Sequence, residues 1–181
     1  MIEESLSVQF AGALAEYMQR RVDWFVHGES GLAVSGLMDR LEALNPAEKP
    51  DIILISIGVN DVTGLSSTRH WRRNVRRLLD RLNSDWPCAF TVFTGLPPMS
   101  RFPLPPQPLR FSLGMRAATF DTIASRLIAE RPDVQHIPTL IDPLANDFCE
   151  DGFHPSAASN QIWAKELAAV IIPHLSPTSE A

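Results

Sequence analysis

Two apolar runs, DIILISIGV (51–59) and CAFTVFTGL (88–96), constrain this chain more than any other feature. Both are continuous rather than alternating, so each reads as a strand buried on both faces, as in a parallel sheet covered by helices. Between them lies TRHWRRNVRRLLDRL (68–82), with Trp71, Val75, Leu78, Leu79 and Leu82 on one stripe and arginines around the rest. That pattern is an amphipathic helix, and parallel neighbours need such a crossover. The flanks continue the alternation. Residues 3–20 carry Leu6, Phe10, Leu14, Tyr17 and Met18 at helical spacing, and VDWFV (22–26) reads as a short strand. Helical period returns over 32–44 through Leu37, Leu41 and Leu44, and again over 111–130. VQHIPT (134–139) reads as a last short strand and 156–172 as a closing helix. Alternation of this kind implies one doubly wound α/β domain over residues 1–181.

Composition narrows the function. A hydrophobic share of 45% and a charged share of 20% are those of a globular chain. Sixteen basic against 21 acidic residues give a net charge of −5, so nucleic acid is not an expected partner, and the arginines of 68–82 read as a solvated helix face. No apolar run is long enough to span a bilayer. Cys88 and Cys149 form no metal-type or redox-type pair and are expected to be small buried hydrophobes. The start, MIEESLSVQF, has no secretory pattern, which implies a cytoplasmic protein if Met1 is the true start. The proline-rich stretch 96–110 has the spacing of a polyproline ligand, but its place after a strand favours a rigid loop bordering a ligand crevice.

Three short stretches carry chemistry. In DGFHP (151–155), Asp151 and His154 stand three apart, a spacing that lets the carboxylate accept from the imidazole Nδ1–H and select one tautomer. Gly152 lets the turn close, Pro155 biases His154 toward an extended conformation, and Ser156 is placed to cap the helix that follows. In SIGVND (56–61), Asn60 and Asp61 follow in the turn at the carboxyl end of a buried strand, where an asparagine N–H can face an oxyanion. In ESGLAVSGL (29–37), Gly31 opens a helix and offers a backbone N–H to developing negative charge. A phosphate loop is excluded there, because Leu37 and Met38 stand where Lys and Ser or Thr are required.

Taken together and in this order, the three stretches resemble the blocks of the SGNH (GDSL-type) hydrolases. Ser30-Gly31-Leu32, with Met38 at a position where an aliphatic residue is usual, is similar to the second block. Gly58-Val59-Asn60-Asp61 is similar to the third, and Asp151-Gly152-Phe153-His154-Pro155 to the fifth. The resemblance implies a three-layer α/β/α sandwich on a parallel, flavodoxin-like sheet. It implies a serine esterase or lipase that works through an acyl-enzyme, with His154 as base and acid, Asp151 orienting it, and Gly31 and Asn60 as oxyanion donors. It implies no metal, no cofactor and a small-molecule ester as substrate. The other readings on the same residues are a non-catalytic acyl- or sugar-binding module and a peptide-interaction protein using 96–110.

The family's nucleophile block, Gly-Asp-Ser-Leu after a first strand, has no counterpart here. Ser5 and Ser7 lie in helical register, and Gly28-Glu29-Ser30 leaves too few residues before Gly58 for the intervening elements. The expectation is a chain inactive as written, lacking the first strand of its sheet, with the nucleophile upstream of Met1 through truncation or a misassigned start. A missing internal strand would leave unpaired edges on both neighbours.

Overall fold

The structure is a computed structural model that describes residues 5–42, 44, 48–139 and 147–175. Its elements in chain order are α1 (Leu6–Met18), α2 (Val34–Glu42), β1 (Ile52–Ile55), α3 (Val59–Thr63), α4 (Thr68–Asp85), β2 (Phe90–Thr94), α5 (Leu109–Ile128), β3 (Val134–Ile137) and α6 (Ala157–Leu175), with a 3-10 turn at Met99–Arg101. The chain gathers into two compact units. One holds the described residues up to Val26, Phe102–Leu104 and those from Asp147 onward; the other holds His27–Arg101 and Pro105–Thr139.

In the second unit the strands pair in parallel in the order β1-β2-β3, with Ile52 opposite Phe90 and Thr91 opposite Val134. This is the order expected of the last three strands of a flavodoxin-like sheet. Burial follows position. Thr91 to Thr94 of β2 are buried, because β2 has a ladder on each side, whereas in β1 only Ile55 is buried. Among the described residues β1 bonds to β2 alone, so the apolar run at 51–59 is half-covered rather than buried throughout.

The apolar stripe of α4 meets α5. Trp71, Val75, Leu78 and Leu79 are fully buried, and Trp71 stacks on Phe120 with centroids 5.1 Å apart at 15°. The Trp71 indole N–H donates to the Phe120 carbonyl at 2.9 Å, which settles the one polar atom this large side chain brings inside. Burying each side chain of this class contributes roughly 1.5–3 kcal/mol relative to exposure. In the first unit α1 packs on α6, and Phe10 and Leu14 of α1 and Trp163, Leu167 and Ile171 of α6 are buried.

Four expectations need correction. VDWFV (22–26) is not a strand: no described strand pairs with it, and Trp24, Phe25 and Val26 are exposed. A strand exists only through its ladder, so β-propensity alone does not form one. Cys88 and Cys149 are both exposed rather than buried. Gly31 does not open a helix, since α2 begins at Val34. Asn60 and Asp61 lie within the short helix α3 instead of a turn. The 96–110 segment is committed to the fold at its start: Leu96, Met99 and Phe102 are buried, which a free polyproline ligand would not be.

Candidate active site

The Asp151–His154 stretch folds on itself. His154 Nδ1 lies 2.6 Å from Asp151 Oδ2, while the backbone N–H groups of Phe153 and His154 both donate to Asp151 Oδ1 at 2.9 Å. These bonds, led by the imidazole's, hold the Asp151 carboxyl down at about 2 from its usual 3.8. The carboxylate is therefore ionised near neutral pH and can only accept, which favours the tautomer with the proton on Nδ1; in that neutral ring Nε2 keeps its lone pair. Both side chains are exposed.

The turn is pinned on several sides. Gly152 has φ 64, in the left-handed region that favours glycine, and a Cβ there would come tightly within 3.3 Å of Pro103 and 3.2 Å of the Leu104 nitrogen. The Gly152 carbonyl accepts from Leu104 N–H at 3.1 Å, and the His154 carbonyl accepts from Cys149 N–H at 2.8 Å. Phe148 and Pro155 form an antiparallel bridge, and buried Phe102 meets Phe148 and Phe153 edge-on at 4.9 and 5.3 Å. Ser156 caps α6 as expected, accepting from Ser159 N–H at 3.2 Å.

In the other unit the structure brings Gly31 and Asn60 into one cluster. Gly31 has φ 83 in a turn closed by Leu32 N–H donating to the Glu29 carbonyl at 3.2 Å. One N–H of the Asn60 amide donates to the Leu32 carbonyl at 3.1 Å, which leaves the amide a second N–H. Asp61 next to it is fully buried, and its Oδ2 accepts from Val34 N–H at 2.9 Å. That N–H is one of the orphan donors at the start of α2, so Asp61 caps a helix 27 residues away in sequence. Burial pushes the Asp61 carboxyl up, against the opposing pull of the Val34 bond. Side by side, Asn60 and Asp61 thus hold the 31–34 backbone by one carbonyl and one N–H. The sequence reading missed Asp61, because its role depends on packing between α2 and α3, for which residue spacing carries no signal.

A second acid–histidine contact has a different character. His136 Nε2 lies 2.9 Å from Asp121 Oδ1, which also accepts from Leu96 N–H at 2.9 Å. The His136 side chain is only 10% exposed, so this pair ties β3 and α5 to the end of β2. Ser30 is exposed in the Gly31 turn, next to Glu29, which pairs with Arg40. Ser5 precedes α1 as its cap position and Ser7 lies within it. Among the described residues no group of three or more His, Cys, Asp or Glu side chains is arranged to hold a metal, and no helix is long and apolar enough to cross a membrane.

Residues 3–162, which include parts of both units, match the model of the GDSL-like Lipase/Acylhydrolase family. No curated protein matches the sequence. Solved structures do. TesA superposes with a TM-score of 0.74 at 18% identity, covering 97% of this chain and 91% of that one. Axe2, an acetylxylan esterase from Geobacillus stearothermophilus, gives 0.69 at 20%, covering 92% and 80%. LAE5, an alpha/beta hydrolase enzyme from the metagenome of Lake Arreo, Spain, gives 0.72 at 18%, covering 92% and 80%. At these identities the likeness establishes a shared fold, the mixed α/β architecture on a parallel sheet.

Proposed function

The chain belongs to the GDSL-like lipase/acylhydrolase family of ester hydrolases, and from that premise we propose that His154 is its general base and acid, oriented by Asp151, with Gly31 and Asn60 as oxyanion donors. The observation that carries the proposal is the 2.6 Å contact between His154 Nδ1 and an Asp151 carboxylate held ionised at about 2. It leaves Nε2 as the proton acceptor, as a hydrolytic base requires. In the first step Nε2 takes the proton of a serine hydroxyl as that oxygen attacks the ester carbonyl. The tetrahedral oxyanion is met by the Gly31 backbone N–H and the free amide N–H of Asn60. Collapse expels the alcohol, which takes the proton back from His154, and water repeats the sequence on the acyl-enzyme.

No serine among the 181 residues is assigned as the nucleophile. The chain by itself is therefore proposed to be silent towards short acyl esters. A fluorophosphonate probe separates the alternatives. The chain as it stands should take no label, whereas a version preceded by a strand and a Gly-Asp-Ser-Leu block should be labelled at that serine. In that version His154→Ala should abolish labelling. Label on Ser30 of the unextended chain would overturn the assignment of Gly31, and an extended chain that binds acyl esters without turnover would make this a binding module.

A further inference from the structure

Helix α4 divides into two electrostatic halves. Its C-terminal half is neutralised, since Arg81 pairs with Asp85 and Asp80 pairs with Arg131. The stretch before Asp80 carries Arg69, Arg72, Arg73, Arg76 and Arg77, with no acidic residue in the first turn. Among the described residues none of these five forms an ion pair with a carboxylate; Arg73 only meets the His70 ring at 3.2 Å. Cations near a helix start oppose the macrodipole, so this arrangement costs stability unless an anion answers it. It also sits in a chain whose net charge is −5, so it does not follow from a general excess of base.

Two of these arginines, both exposed, border a shallow, open cleft between α4 and α5. Arg69 and Arg72 of α4 and Arg126 of α5 line this open cleft, of about 550 Å³, together with Thr68, Thr119, Thr122 and Ile123. On α5 the lining residues fall at 119, 122, 123 and 126, and on α4 at 68, 69 and 72, so each helix presents one face to the cleft. Ile123 is the one buried residue of the lining. Arg126, like Arg69 and Arg72, forms no ion pair with a described carboxylate. Guanidinium groups from two elements around one concavity are a geometry suited to a compact multivalent anion.

We propose that the α4–α5 cleft binds a small, multiply charged anion of the phosphate class. Its volume lies within the roughly 300–1,000 Å³ of small-molecule sites. A nucleic acid would call for a basic track longer than three arginines at one cleft, on a protein without net positive charge. The site shares no residue with the catalytic assignment, so it stands or falls independently of it.

Calorimetric titration of the full chain with inorganic pyrophosphate at low salt tests the site. Saturable binding of one equivalent is expected, weakening as salt is raised. Arg72→Gln and Arg126→Gln should each weaken it about tenfold or more, as expected for the loss of a charge-assisted bond. Arg76→Gln, on the same helix but outside the cleft, should change it less than about twofold. All three side chains are exposed, and an unchanged circular dichroism spectrum secures the fold in each variant. Absence of saturation overturns the proposal. So does equal weakening by Arg72→Gln and Arg76→Gln, which would mark diffuse attraction without a site. Binding of single-stranded oligonucleotide but not of pyrophosphate would overturn it in favour of a nucleic-acid surface.

Discussion

Asp151 and Asp61 do the same local job with opposite electrostatics. Each side chain accepts backbone N–H groups, Asp151 from Phe153 and His154 within its own turn and Asp61 from Val34 at the start of α2. Asp151 is exposed and its carboxyl is held down at about 2, chiefly by the His154 ring. Asp61 is buried and its carboxyl is pushed up by desolvation. What an aspartate contributes is thus decided by what surrounds it. In the proposed mechanism the charge of Asp151 is the useful property, because it fixes a tautomer; at Asp61 the expectation is that any acceptor of the same shape would serve.

The largest effect expected from that contrast is on turnover. In the form supplied with a nucleophile block, Asp151→Asn should lower kcat on the order of 10²-fold or more with KM little changed, since a neutral amide no longer enforces the Nδ1–H tautomer. Steady-state kinetics check this. A greater loss of kcat from Asp61→Asn than from Asp151→Asn would break the comparison.

Next in size is stability at Asp61. Asp61→Ala removes the acceptor for Val34 N–H and should cost about 1–2 kcal/mol, in the range of a lost helix cap, together with the cavity left behind. Asp61→Asn keeps an oxygen acceptor and removes a buried charge, so at neutral pH it should be close to neutral or stabilising. Urea denaturation of both variants separates acceptor from charge, and an Asn variant as unstable as the Ala variant would show that the charge matters.

The smallest effect is a pair of titrations of opposite sign. The folded-state value of Asp151 lies below 3.8, so its stabilisation of the 151–154 turn is full above 3.8 and is lost as pH falls through about 2. The Asp61 value lies above 3.8, so its contribution is most favourable below 3.8 and is lost as pH rises through its folded-state value. Carboxyl-carbon NMR should find the two carboxyls titrating on opposite sides of 3.8.

The sequence showed some of this and concealed the rest for identifiable reasons. The stripe of Trp71, Val75, Leu78, Leu79 and Leu82 was legible because helical periodicity reports burial directly, and all five are buried. The Asp151–His154 contact was legible because it closes within four residues. VDWFV misled because a strand needs a partner that the segment itself does not specify. The Gly58–Asp61 stretch read as a turn because Asn and Asp favour turns, yet it folds as α3, where the Asn60 and Asp61 side chains are held by Leu32 and Val34. That anchoring is a tertiary contact across 27 or 28 residues, and no local pattern encodes it.

The central claim, that an ionised Asp151 leaves His154 Nε2 free as a base, is tested most directly by the ring-nitrogen chemical shifts of His154 in the neutral imidazole. The account predicts the proton on Nδ1 with Nε2 unprotonated in the wild-type chain, and loss of that preference in Asp151→Asn. A neutral ring carrying its proton on Nε2 in the wild-type chain would contradict it.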